Sequence, residues 1–289
     1  MLANERTVVI GQKVILVPYL PTHVPQYHKW MSDPEIQKLT ASEPLSLQEE
    51  YDMQESWHID QDKLTFIVLA RCNDNVINPD SELSDSQMES EILLSLITSS
   101  SSSSSYPMIG DVNLFFSSST PPSSPSPSPS PSAHPNSSQT HAVGAESEER
   151  ENFLQAECEI MIASPTHRRN GYGMEAMKLM MQYASGYLPS TVANDMKQKV
   201  EKPGYQKVDR FIARIGRDNE ASVKMFEKLG LKVVKIVEVF GEVEMRLDSL
   251  GDGDTRLDGR WEFVWGRSEM KVVEVNKVEW ERYRDFARS

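Results

Sequence analysis

Apolar and polar positions recur with two different periods along the chain, and the period assigns most of its elements. Val8 to Pro18 is apolar and β-branched, which predicts a first strand with a break at Gly11. Thr22 is placed to cap a helix through Tyr27, Trp30 and Met31 that ends near Asp33-Pro34. Ser46 is followed three residues on by Glu49, the capping-box spacing, and opens a helix to about Ile59. Runs at Leu64–Arg71, Met108–Phe116, Ala156–Ala163 and Arg210–Ile215 read as strands. Between the last two, Gly171 to about Ala184 has Met174, Met177, Met181 and Ala184 on one helical face. Asn219–Leu229 is a helix that Gly230 stops, and Leu231–Val239 with Glu242–Leu247 closes as a hairpin around Gly241. The order β-α-α-β-β-β-α-β-α-β-β predicts an α/β domain with a mixed sheet.

Two stretches break the pattern. Residues 72–107 include seven consecutive serines, Ser99 to Ser105, and residues 117–150 include the Pro/Ser repeat from Pro121 to Ser132. Such compositions bury too little apolar surface to offset the entropy of ordering. Connections inside a domain are usually ~4–6 residues, so two long tracts flanking one strand read as insertions into a sheet. The chain is therefore expected to be one domain over 1–250, with a C-terminal extension over 251–289 packed on it.

Charge sharpens this division. The net charge is −13, and residues 73–150 carry ten acids against Arg150 alone, so the remainder is close to neutral. Without a basic patch to displace counterions, nucleic acid is not an expected partner. Cys72 and Cys158 lie in apolar runs without metal-ligand spacing, so they read as buried residues of a reducing compartment and no metal is expected. No apolar run nears the ~20 residues of a membrane span, and the first residues lack the basic start of a signal peptide. A cytosolic protein, with the nucleus as the second compartment, is the expectation.

The chemistry is concentrated in EIMIASPTHRRNGYGMEAM. A strand ends at Ala163, and Arg168, Arg169, Asn170, Gly171, Tyr172 and Gly173 then lead directly into the helix that holds Met174. Glycines admit a tight turn and close backbone approach. Free N–H groups and the helix dipole attract phosphate, and the two arginines add charge. The pattern is neither a Walker loop nor a dinucleotide fingerprint. It is a pyrophosphate cradle or, taken alone, a plain strand-to-helix turn with surface arginines.

Arg168-x-x-Gly171-x-Gly173 after an apolar strand resembles the acyl-CoA loop of the GNAT superfamily. The later stretch RDNEASVKMFEKLGLK, with Asn219, Ser222, Phe226 and Gly230-Leu231, resembles that superfamily's second motif. Trp30-Met31, Asp33-Pro34, Leu39 to Leu45, Asp62 to Phe66, GDVNLFF and AECEIMIA resemble, more closely, the N-acetyltransferase 9-like family. The resemblance implies a GNAT fold in which strands 64–71, 108–116 and 156–163 form an antiparallel meander. The two insertions would then sit at opposite ends of the sheet. It implies acetyl-CoA as co-substrate, with its pantetheine arm on the backbone of Ile160, Met161 and Ile162 in a gap between splayed strands. Arg168 to Met174 would hold its pyrophosphate, with Asn219 and Phe226 beside the arm. The implied reaction is direct attack of an amine on the thioester, the amine being on a protein or peptide. A small-molecule amine, or a binding protein that keeps only the fold, are the alternatives.

Members of the superfamily with a glutamate base on the fourth strand place it fourteen residues before the first loop glycine, which is Glu157 here. Glu159 shares its face, opposite Cys158, Ile160 and Ile162. Glu157 is the first candidate for the base and Glu159 the second, and a solvated or structural role for both remains the plain alternative. Many relatives protonate the thiolate with a tyrosine where this chain has Phe226, so here another group does so or the thiolate leaves unprotonated. His28 and His58 fall on helices that cover the acceptor side, His23 is expected at the surface, and His167 adjoins the cradle.

Overall fold

The computed structural model describes residues 1–71, 106–119, 153–186, 208–248 and 270–275, together with 277, 280 and 281. Cys72 and nearly all of both serine-rich tracts fall outside the described residues. Nine strands form one mixed sheet: β1 (Thr7–Ile10), β2 (Val14–Pro18), β3 (Lys63–Ala70), β4 (Met108–Ser119), β5 (Phe153–Ile162), β6 (Arg210–Gly216), β7 (Lys232–Val237), β8 (Glu242–Asp248) and β9 (Lys271–Glu274). Their order is β7-β8-β6-β5-β4-β3-β2-β1-β9. Among the described residues, five α-helices cover it: α1 (Val24–Met31), α2 (Pro34–Thr40), α3 (Leu47–Ile59), α4 (Tyr172–Gly186) and α5 (Glu220–Lys228).

Strand alternation sorts the core into two layers. Val112, Leu114, Ala156, Cys158, Phe211 and Ala213 face α4 and α5, where Met177, Met180, Met181 and Phe226 complete one buried cluster. Each fully buried methionine contributes ~1.5–3 kcal/mol of apolar burial. Val17, Tyr19, Ile67, Leu69 and Met161 face the other way, toward Tyr27 and Met31 of α1 and Ile36 of α2.

Strands β3, β4 and β5 form the expected antiparallel meander. β4 and β5 begin and end together, with Ser119 opposite Phe153 at one end and Gly110 opposite Ile162 at the other. The stretch between β3 and β4 therefore attaches at the end where β5 finishes, and the stretch between β4 and β5 attaches at the opposite end.

Four local readings are corrected. The expected first strand is a hairpin, β1 antiparallel to β2, because the Gly11 N–H bonds back to the Val14 carbonyl at 2.9 Å. Thr22 is not the N-cap of α1: a 3-10 turn at Pro21–His23 runs straight into the helix, and His23 holds that position. His23 is not at the surface but fully buried, accepting the Leu20 N–H through Nδ1 at 3.0 Å. The first helix does end near Asp33-Pro34, at Met31, and what is corrected is the stretch after it: Asp33 starts a further helix, its carboxylate accepting the Glu35 N–H at 2.8 Å. The capping box does form, with Ser46 Oγ on the Glu49 N–H and Glu49 on the Ser46 N–H, worth ~1 kcal/mol. β9, which lies in the C-terminal stretch, pairs antiparallel with β1 and extends the sheet beyond the N-terminal hairpin.

Candidate active site

Regular pairing fails at one place in the middle of the sheet. β5 pairs with β4 over its whole length, and β6 pairs with β8 over its whole length. Between them, β5 and β6 pair in parallel only from Gln155↔Arg210 to Glu157↔Ile212. Beyond Glu157 the two strands part. The edge of Cys158–Ile162 that faces β6 therefore has no strand partner among the described residues over five residues, ~16 Å at strand rise. An extended ligand bearing amide groups can pair with such an edge as an added strand does.

The open edge leads into the cradle. Pro165–His167 makes a 3-10 turn, Arg169 takes φ 64° and Gly171 takes φ 87°. The first α4 hydrogen bond runs from the Glu175 N–H to the Gly171 carbonyl at 3.0 Å. The N–H groups of Tyr172, Gly173 and Met174 precede it and have no intrahelical acceptor. A side chain on Gly173 would stand 3.3 Å from Ile162 Cγ1, 3.6 Å from Ile160 Cδ1 and 3.6 Å from Met225 Sδ. That glycine thus brings the start of α4 against both β5 and α5. On α5, Asn219 accepts the Ser222 N–H at 3.1 Å as the N-cap, and Phe226 is buried in the core.

The two arginines do different things. Arg168 turns back on its own strand: Nε donates to the Ile162 carbonyl at 2.8 Å and Nη2 to the Ala163 carbonyl at 3.2 Å. With these two of its five donors it fixes the exit from β5. Arg169 is exposed. His167 is held by Ser164 Oγ at 2.7 Å, and burial lowers its pKa from the usual histidine value, which favours the neutral ring.

On the opposite face of the sheet, toward α1 and α3, stand Glu157 and Glu159. Arg214 of β6 donates to one Glu157 oxygen, and Arg214 also faces Glu244 at 3.6 Å, which in turn pairs with Arg246. Glu157 is thereby committed to a charged network across β5, β6 and β8. Glu159 is exposed and has no such partner among the described residues. Crowding by the surrounding protein and then the Glu157 charge raise its pKa, while Lys63 opposes the rise. Solvent access keeps that rise smaller than a closed site would.

Behind Glu159 lies a group of buried polar residues that the motifs do not announce. Asp111 and Asn113 share a face of β4, and Asn113 Nδ2 donates to Asp111 Oδ2 at 2.7 Å. Burial above all pushes the Asp111 carboxyl up to about 7; the Glu159 charge adds to this, and bonds from Asn113 and Tyr27 oppose it. Tyr27 has Asp111, Tyr19, Glu50 and Glu159 close enough to raise its own pKa further. Glu50 of α3 is buried too, 3.9 Å from His28 Nδ1. The sequence signal that marks Asp111 and Asn113 is the one that marks the glutamates: polar residues alternating with Val112 and Leu114 on a central strand.

Comparison with known proteins matches this arrangement to a family. A model of the GNAT acetyltransferase domain matches residues 138–232. The N-acetyltransferase 9-like protein of Nematostella vectensis is 36% identical over 251 residues, 86% of this chain and 89% of that protein. The chain belongs to the N-acetyltransferase 9-like family. The alpha/beta-tubulin-N-acetyltransferase 9 of Mus musculus is 36% identical over 86% of this chain and 73% of its own length. Among solved structures, a GNAT-family acetyltransferase from Bacillus anthracis is 11% identical, with a TM-score of 0.44 over 83% of this chain and 98% of that one. The domain match and the curated relatives make this chain an N-acetyltransferase. No helix among its described residues is long and apolar enough to cross a membrane.

Proposed function

We propose that this enzyme acetylates an amine on a protein, with acetyl-CoA in the gap between β5 and β6 and the amine arriving from the face that carries Glu159. The observation that carries this reading is the three-position β5–β6 ladder, which leaves a strand edge open directly before a helix start. The residues present fit acetyl-CoA. Backbone groups of Ile160, Met161 and Ile162 offer ladder partners to its amide-bearing arm, and the N–H groups of Tyr172, Gly173 and Met174 offer donors to its pyrophosphate. Asn219, Met225 and Phe226 bring α5 to the same end. Acetyl-CoA supplies the activated acetyl group.

The chain supplies position and proton transfer. An amine reaches the site as ammonium and must lose a proton before it can attack. Glu159 takes that proton: it is accessible, its lone pairs are uncommitted, and its raised pKa makes it a stronger acceptor than an ordinary surface carboxylate. Glu157, held by Arg214, tunes Glu159 through its charge. Phe226 has no proton to give, so protonation of the departing thiolate falls to another group or to water.

A protein acceptor is supported by the relatives named for action on tubulin, which makes tubulin the first acceptor to try. We place the enzyme in the cytosol, where such an acceptor would be met. Purified enzyme given labelled acetyl-CoA with tubulin and with cell extract should label protein bands. Label confined to small molecules, or no transfer at all, would contradict the reading.

A further inference from the structure

The cradle holds a second cation that neither motif contains. The β1–β2 turn is docked onto the first turn of α4. Glu175 Oε1 accepts the Lys13 N–H at 2.7 Å and the Val14 N–H at 3.4 Å. From the other side, the Lys13 carbonyl accepts the Arg71 N–H at 2.7 Å. Gly11 makes the docking possible, because a side chain there would stand 2.4 Å from Glu175 Oε1 and 2.6 Å from Leu179 Cδ1. The backbone of Lys13 is therefore fixed relative to the helix start.

Its side chain reaches the loop. Lys13 Nζ donates to the Asn170 carbonyl at 3.0 Å and stands 3.2 Å from the position a side chain on Gly171 would take. An ammonium has three donors, and one is used here. Lys13 makes no ion pair among the described residues, with Glu175 or any other acid. The positive end of α4 and Lys13 thus meet at the loop, while two Arg168 donors are turned back to strand carbonyls. Gathering like charges is unfavourable until an anion joins them.

We propose that Lys13 is a phosphate ligand of acetyl-CoA, delivered to the cradle by the β1–β2 turn where the Arg168 guanidinium is turned away. This rests on reading the loop as the acetyl-CoA cradle. It makes the N-terminal hairpin, which precedes the loop by some 150 residues and the second motif by some 200, a part of the cofactor site.

The test compares two probes that differ in phosphate: acetyl-CoA, followed by calorimetry, and S-acetylpantetheine, which has none, followed by competition. Lys13→Ala should lose about tenfold in acetyl-CoA affinity, the scale of one charge-assisted hydrogen bond, and should leave S-acetylpantetheine affinity unchanged. Its acetyl-CoA affinity should also fall less steeply with added salt. Lys13→Arg, which keeps the charge, should recover most of the loss. Equal losses for both probes would show that the side chain only supports the fold, and unchanged acetyl-CoA affinity would remove Lys13 from the site. Either result leaves the cradle standing. A wild-type enzyme that binds S-acetylpantetheine but gains nothing from the phosphates of acetyl-CoA would overturn the cradle and this proposal together.

Discussion

The two sides of the opened sheet are built in different ways. The cradle side is mostly backbone: a strand edge that loses its partner after Glu157, a left-handed Gly171, and a helix start directly after it. Apart from Lys13, these determinants lie within some twenty consecutive residues. The acceptor side is side chain: Tyr27 from α1, Glu50 from α3, Asp111 and Asn113 from β4, Glu159 from β5 and Arg214 from β6. A backbone site depends on where chain conformation is permitted, so substitutions there act through φ and space. A side-chain site depends on what each group does to its neighbours, so substitutions there act through charge and protonation. The two sides should therefore fail differently.

The largest effect is expected on the acceptor side. Glu159→Gln should lower kcat by ~10²–10⁴-fold with little change in KM for acetyl-CoA. Glu157→Gln should cost far less. Because the Glu157 charge raises the Glu159 pKa, neutralising it should move the acid limb of the pH–rate profile to lower pH. Equal losses from both variants, with no shift of the limb, would mean that neither acts as assigned.

On the cradle side, Gly171→Val should weaken acetyl-CoA binding about 100-fold, equivalent to ~3 kcal/mol, because φ 87° excludes a β-branched residue. The kcat of whatever enzyme is saturated should change much less. Calorimetry showing wild-type affinity would contradict the cradle.

A smaller effect concerns stability. Asp111 has its pKa raised from 3.8 to about 7 in the folded state, so its contribution is complete below pH 3.8 and is lost as pH rises toward 7. His23 has its pKa lowered from 6.5 to about 3, so its contribution is complete above pH 6.5 and is lost as pH falls toward 3. The two slopes oppose each other between pH 4 and 6.5. Asp111→Asn removes one of them, and its Tm should rise over that range more steeply than wild type. Its gain over wild type should be largest near pH 8, by a few kcal/mol at ~1.4 kcal/mol per unit of pKa. Parallel Tm profiles would show that Asp111 is not buried as a proton carrier.

Much of the cradle side was legible because its determinants are local. Glycine spacing, an apolar strand before it and the Asn219 cap after it are all short-range patterns, while the meander was implied by the family resemblance. The acceptor side was legible only as the alternation of Glu157 and Glu159. Choosing between them required Arg214, some 57 residues away, whose bond to Glu157 no spacing rule predicts. The turn of Arg168 was illegible for a related reason: no spacing rule tells that its guanidinium reaches the Ile162 and Ala163 carbonyls six and five residues back. His23 was misread because a polar residue in a turn is expected in water, yet its ring nitrogen replaces a backbone acceptor for Leu20.

The smallest effect tests how far apart the two ends of the sheet are. The stretch between β4 and β5 joins strands that meet at Ser119↔Phe153, nine residues from the Gly110↔Ile162 pair beside the cradle, or ~30 Å at strand rise. Deleting residues 121–148 should leave acetyl-CoA affinity within about twofold, ~0.4 kcal/mol. A larger loss, measured by the same titration, would bring that stretch into the cofactor site.

The central claim is that acetyl-CoA completes the sheet where β5 and β6 part. Amide hydrogen exchange with and without acetyl-CoA reads this directly. Saturating acetyl-CoA should slow exchange in the segment spanning Cys158–Ile162 and at Tyr172–Met174, and should leave the β3–β4 ladder unchanged. Binding that protects other segments while Cys158–Ile162 exchanges as fast as before would contradict it.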